Sequence, residues 1–352
     1  MIRMQMTKLT IALTAVMTAF STHAVGQDGI SNDEFIFNDD ATIIANASSG
    51  TPGINSGIAA TNQDTTVTIV DGKTLNIKGD LSDNIGGIFL ISSIEKYELN
   101  VTGDIFGQIT TSLNKSIRGI SAFGNIDING NVELVINGGP SSVIGVGAWK
   151  GAQLRFSGDS TKIIIRSSLP QSGFVYGVQG SNANTVISFN ANNSSIVVDN
   201  SSENTSNSYG VSTTSSLINF SGNSNIFVYG NFGETYGVNV QNSLNNGASI
   251  ILAGSETKIK VSGGNRVFGV RSSGSQSEIN FTGNEASVEV KSERGQAYGL
   301  IIENGGYVNF AGNIATIEAE SNTNSAYGVS SESGSHANFA GNAEILTRPS
   351  FS

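Results

Sequence analysis

The chain has 352 residues, with 18 Lys plus Arg against 28 Asp plus Glu, a formal net charge of −10. An acidic chain so poor in Lys and Arg is not built to hold phosphate backbones, which excludes nucleic acid as a partner. Cys is absent, so there is no disulfide framework, thiolate zinc site or iron–sulfur cluster. Gly (43), Asn (39) and Ser (49) exceed a third of the chain, and all three are poor in helix interiors. The 38% hydrophobic content is too high for a disordered linker, so the composition points to many short strands and turns.

The first segment, residues 1–24, reads as a signal peptide. Arg3 and Lys8 give a positive start, and Leu9 to Phe20 is an apolar run too short to span a bilayer. Thr22-His23-Ala24 fits a cleavage site, with cleavage after Ala24. No later segment is long and apolar enough for a transmembrane helix in the mature chain. Residues 25–50 follow as a polar N-terminal cap segment containing Asp33, Glu34, Asp39 and Asp40. That acidic run reads as part of the cap rather than a calcium site.

From residue 51 to 346 the chain repeats, with two alternating signals. The first is Gly followed by an aliphatic residue, often preceded by an aromatic: Tyr176-Gly177-Val178, Tyr209-Gly210-Val211, Tyr236-Gly237-Val238, Phe268-Gly269-Val270, Tyr298-Gly299-Leu300 and Tyr327-Gly328-Val329. Copies without the aromatic are Gly57-Ile58, Gly87-Ile88, Gly119-Ile120 and Gly145-Val146, so ten copies recur about every 30 residues. The second signal is an apolar residue, any residue, then Gly-Asn or Gly-Asp. Its clearest copies end at Asn223, Asn284, Asn313 and Asn342, and weaker ones centre on Gly79, Gly103, Gly130, Gly158, Ala191 and Gly254.

Around the second signal, apolar residues alternate. Four positions before the Gly stand Leu75, Leu99, Ile126, Leu154, Ile187, Ile218, Ile250, Ile279, Val308 and Ala337. Two positions before it stand Ile77, Val101, Ile128, Phe156, Phe189, Phe220, Leu252, Phe281, Phe310 and Phe339. Period two is a strand with one buried face. A further alternating strand follows, as in Ile163/Ile165, Ile196/Val198, Ile259/Val261 and Val288/Val290. The Gly-Asn step between them suits a turn with positive φ. A unit this small cannot bury its own apolar face, but stacked copies can. The expected fold is therefore all-β: a right-handed parallel β-helix of about ten coils, with inward Phe and Ile ladders and Asn ladders at the turns. Residues 347–352 leave the pattern as a short tail.

These repeats, the export signal and the Cys-free, Gly/Asn/Ser-rich composition resemble the passenger region of bacterial autotransporters (type V secretion). The Phe-x-x-Asn copies also resemble those of polymorphic outer-membrane proteins. The resemblance implies export to the cell surface, the outer membrane or the medium, a non-enzymatic, adhesin-like role, and a host-surface or glycan ligand. It also implies an outer-membrane β-barrel translocator as partner. The tail after Leu346 cannot hold that barrel, so the chain reads as a passenger apart from its translocator or as the front of a longer product.

The alternative is a secreted polysaccharide lyase or hydrolase on the same fold, whose carboxylates would gather on one coil face. No catalytic, cofactor-binding or metal site is expected. His336 aligns with Tyr307, Glu278, Ser249 and Leu217, a variable position that reads as surface. Asp159, Lys162 and Arg166 read as scattered surface charge rather than a sugar groove. Trp149, beside Lys150, reads as a loop anchor rather than a sugar platform.

Overall fold

The computed structural model describes residues 30–349 except 32, 47–54, 81–87, 112–115, 139–141, 168–172, 202–205, 243–246 and 333. Residues 1–24, read as a signal peptide, and the last three residues of the tail therefore lie outside the described residues. So do Gly87 and half of each of the segments 201–208 and 241–248, where the repeat spacing expands and the sequence reads as loops.

Every described element is a strand, and the strands form three parallel sheets of 11 strands each. Each strand pairs with the third strand before it and the third after it, so one strand of every sheet makes one rung. This is a parallel β-solenoid with a rung repeat near 30 residues. The core is one continuous column of apolar side chains shared by all three sheets.

Alternation decides which side chains enter that core. In the second sheet the short strand Leu217–Phe220 buries Ile218 and Phe220 and turns Leu217 and Asn219 outward. In the third sheet Asn223–Gly230 buries Ser224, Ile226, Val228 and Gly230. Register then stacks like on like. The rings of Phe156, Phe189 and Phe220 lie 4.8 and 4.5 Å apart and nearly parallel. After Leu252, Phe281, Phe310 and Phe339 continue the column at 4.3 and 5.0 Å. On the outer side of the same sheet Asn338 Nδ2 donates to Asn309 Oδ1 at 2.8 Å, and Asn309 Nδ2 to Asn280 Oδ1 at 3.3 Å.

The structure corrects five details of the sequence reading. Residues 30–46, read as a cap, supply strands of the first rung: Glu34–Phe37 pairs with Thr65–Ile69, and Ala41–Asn46 pairs with Thr74–Asp80. The solenoid is therefore one rung longer than the ten repeats. At the other end Thr347 and Arg348, read as tail, still pair with Ala319 and Glu320.

The copy at Leu75 and Ile77 belongs to the third sheet, and the second-sheet positions of that rung are Thr65 and Val67. Gly87-Ile88 is also out of register. Ile58 and Ile120 both pair with Ile91, so the residue aligned with Gly57 and Gly119 is Leu90.

The Gly of the Gly-Asn corner is required for a different reason than φ. Apart from Gly103, these glycines do not have positive φ. A Cβ at Gly283 would sit 1.7 Å from Gly254 O, and one at Gly312 would sit 2.0 Å from Gly283 O. Successive corners stack backbone on backbone and leave little room between them, though in one rung Ala191 takes this position, fully buried. The Asn beside the Gly caps the next rung: Asn131 Oδ1 accepts from Ser160 N at 2.9 Å, and Asn223 Oδ1 from Glu256 N at 3.0 Å. Positive φ is concentrated instead at the corner between the first and second sheets, for example at Lys150, Asn182, Asn184, Ser215 and Asn304.

Candidate ligand-contact face

The Tyr-Gly-Val copies lie in the first sheet, and register places their aromatics in one outward column. Tyr176, Tyr209, Tyr236, Phe268, Tyr298 and Tyr327 follow one another rung by rung. Their ring centroids are 4.7, 4.8, 4.7, 5.2 and 4.9 Å apart, and every neighbouring pair is stacked within 13°. Each such pair contributes about 0.5–1.5 kcal/mol beyond its buried area. The glycine after each ring makes room on the inner side. A Cβ at Gly210 would lie 2.5 Å from Ile226 Cγ2 and 2.6 Å from Gly237 O.

Beside this ladder runs a second column, two residues before each ring at or just ahead of the strand's start: Phe174, Asn207, Glu234, Arg266, Gln296 and Ser325. Its chemistry follows the ring it serves. Asn207 Nδ2 donates to Tyr209 Oη at 3.4 Å, Tyr236 Oη donates to Glu234 Oε2 at 2.5 Å, and Tyr298 Oη donates to Gln296 Oε1 at 3.0 Å. Where the ladder carries Phe268 and has no hydroxyl to bond, the partner is Arg266, whose guanidinium lies 5.0 Å from the ring centre. Arg266 also bridges Glu234 at 2.9 Å. On the other flank Arg271 bridges Glu303 at 2.9 Å and lies 5.8 Å from the Tyr236 ring.

Burial raises the phenol pKa of Tyr176, Tyr209 and Tyr236, and the hydrogen bond to Glu234 raises Tyr236 further. Folding therefore favours the neutral form of all three. In the unfolded chain they ionise near the ordinary tyrosine value of about 10. Their contribution to stability is complete below that pH and is lost as pH rises towards their folded values. Alkaline titration is therefore expected to show these phenols ionising late and together with the loss of β circular dichroism. Smooth ionisation of all eight tyrosines near pH 10 in a folded chain would contradict the burial of the ladder.

The residues singled out from sequence fall elsewhere. Trp149 is the anchor expected of it. Its indole stacks on Phe123 at 5.2 Å, carries the Arg118 guanidinium at 4.5 Å, and covers Gly147 so closely that a Cβ there would be 2.1 Å away. Lys150 bridges Glu95 at 2.7 Å. His336 is exposed on the second sheet in register with Tyr307, Glu278, Ser249 and Leu217, as the sequence spacing implied.

Asp159, Lys162 and Arg166 do not converge on a common centre. Asp159 accepts from Asn192 Nδ2 at 3.1 Å, Lys162 bridges Glu133 at 2.8 Å, and Arg166 sits in register with Asn137 and Asp199. Of the N-terminal acids, Asp40 accepts from Thr74 N at 2.8 Å and Asp39 bridges Lys73 at 3.3 Å.

One shallow groove gathers acids, with Asp40, Asp104, Glu133 and Lys162 along it. Each carboxylate there is engaged: Asp40 by Thr74 N, Asp104 by Asn131 N at 2.9 Å, and Glu133 by Lys162. Among the described residues no group of three or more His, Asp or Glu is placed to hold a metal ion. No helix among them is long and apolar enough to cross a membrane.

Sequence reading missed the partner column beside the ladder. Its signal was present as Asn207-x-Tyr209, Glu234-x-Tyr236, Arg266-x-Phe268 and Gln296-x-Tyr298, a polar or charged residue two before each aromatic. No protein-family model matches this chain, and searches of curated proteins and of solved structures return no match either.

Proposed function

We propose that this chain is the β-helical passenger of an exported bacterial surface protein, a rigid non-enzymatic rod whose first-sheet outer face contacts a host or neighbouring surface. The observation that supports this reading most is the ladder itself. Six stacked rings and their partner column run along the outer side of the first sheet, apart from the main core: Tyr236 and Phe268 are buried there with Ile301, Tyr209 and Tyr298 pack against them, and Tyr327 at the end is exposed. A face held rigid by rung pairing binds with little loss of side-chain freedom. Delivery by an outer-membrane β-barrel translocator belongs to the same reading. The alternative, polysaccharide cleavage, would place its acid and base in the groove of Asp40, Asp104 and Glu133. Those carboxylates are tied to backbone N–H groups and to Lys162, which favours a structural role.

The test is an immunoblot on fractionated native cells, with and without protease outside the cells. The expected result is a signal in the outer-membrane fraction or the medium that external protease trims. A signal confined to the cytosol and untouched by protease would sink the proposal.

A further inference from the structure

We infer that the partner column beside the aromatic ladder is a track for an extended, uncharged β-linked glycan lying parallel to the solenoid axis. This inference rests on the reading of the chain as a surface-contact rod and names the ligand and the place where it binds.

The track is Phe174, Asn207, Glu234, Arg266 and Gln296, one residue per rung. Strands of a sheet repeat at about 4.8 Å, close to the advance per sugar of an extended hexose chain, so each sugar meets one rung. The polar members of the track are pre-set. Asn207, Glu234 and Gln296 are each held by the tyrosine of their own rung, at 3.4, 2.5 and 3.0 Å. Hydrogen-bonding groups fixed in advance lose little entropy on binding a flexible polymer.

Charge selects a neutral ligand. Arg266 is matched by Glu234 and Arg271 by Glu303, so the face carries balanced pairs that can donate and accept with sugar hydroxyls.

The aromatic platform sits at one end. Within the ladder every inner ring face is closed by its neighbours, so the ladder itself offers edges rather than faces. Phe174 differs: its ring is tilted 53° to Tyr176 and 64° to Tyr209, and the residue is 48% exposed. It presents an open face for the apolar side of a sugar ring, and the chain continues from there over Asn207 to Gln296.

The test is calorimetric titration of the full chain with β-1,4-linked glucose and N-acetylglucosamine oligomers, from disaccharide to hexasaccharide. Affinity is expected to rise with oligomer length as more rungs are covered. Phe174→Ala is expected to weaken the longest oligomer roughly tenfold. Gln296→Ala is expected to weaken the long oligomers and leave the disaccharide unchanged. Phe227→Ala removes a ring 37% exposed on the third sheet and is expected to change nothing. Unchanged circular dichroism shows that each variant still folds.

Absence of binding, affinity independent of length, or equal losses in the Phe174 and Phe227 variants would overturn the track. Surface display without glycan binding would overturn the track alone. Glycan binding with the predicted pattern, by a protein confined to the cytosol, would support the track and remove the display reading.

Discussion

Leu90→Gly is expected to lower the unfolding free energy by about 3–5 kcal/mol, and Gly107→Leu by about 1–3 kcal/mol, while the double variant returns to within about 1.5 kcal/mol of the parent. The reason is an exchange built into one rung. Elsewhere the first sheet places Gly at the core corner, and the third sheet places a large aliphatic residue against it. A Cβ at Gly57 would meet Ile77 Cγ2 at 2.3 Å, and a Cβ at Gly177 would meet Ile196 Cγ2 at 2.4 Å. In the rung of Leu90 the two are swapped. Leu90 is fully buried at the glycine position, and Gly107 stands between Ile77 and Leu134 in the aliphatic column.

A Cβ at Gly107 would lie 2.8 Å from Leu90 Cδ1 and 2.6 Å from Leu134 Cδ2, so the space is already filled from across the core. Leu90→Gly alone leaves a void, and Gly107→Leu alone overpacks it. Together they restore the pattern of the other rungs, and the two changes couple strongly. Urea denaturation of the four proteins closes the cycle. Additive losses would show that the two sites do not share one volume.

Phe189→Ala is expected to cost about 3–5 kcal/mol, and Phe189→Leu about 1.5 kcal/mol or less. Phe189 is fully buried with rings stacked on both sides, at 4.8 Å to Phe156 and 4.5 Å to Phe220. The same column accepts Leu252 between Phe220 and Phe281, so an aliphatic side chain fills the place adequately where alanine does not. A solenoid rung contacts chiefly its neighbours, so the damage should remain local. Amide exchange is expected to accelerate around the strands Gln153–Phe156, Val186–Phe189 and Leu217–Phe220, with little change around Tyr307–Phe310. Uniform acceleration along the chain would mean that the whole solenoid unfolds as one unit.

The sequence determined a good deal of this protein. Period-two alternation sorted inward from outward residues, and the registers Leu99 to Ile126 and Ile163 to Ile196 followed from it. Even the variable column of Leu217, Ser249, Glu278, Tyr307 and His336 was legible from spacing. It was least legible in the first rungs, where Leu75 was assigned to the wrong sheet and Gly87 stood in for Leu90. There the aromatic marks are absent, and the corners differ in length from rung to rung.

Only the tertiary structure decided which side chains outside those repeats come into contact. The pairs Glu234–Arg266 and Arg271–Glu303 join neighbouring rungs across 32 residues, and Leu90 fills the space at Gly107 from another sheet of the same rung. Local pattern fixes the face on which a side chain lies. Its neighbour along the axis depends on how many residues each corner takes up, and that is settled only when the rungs stack.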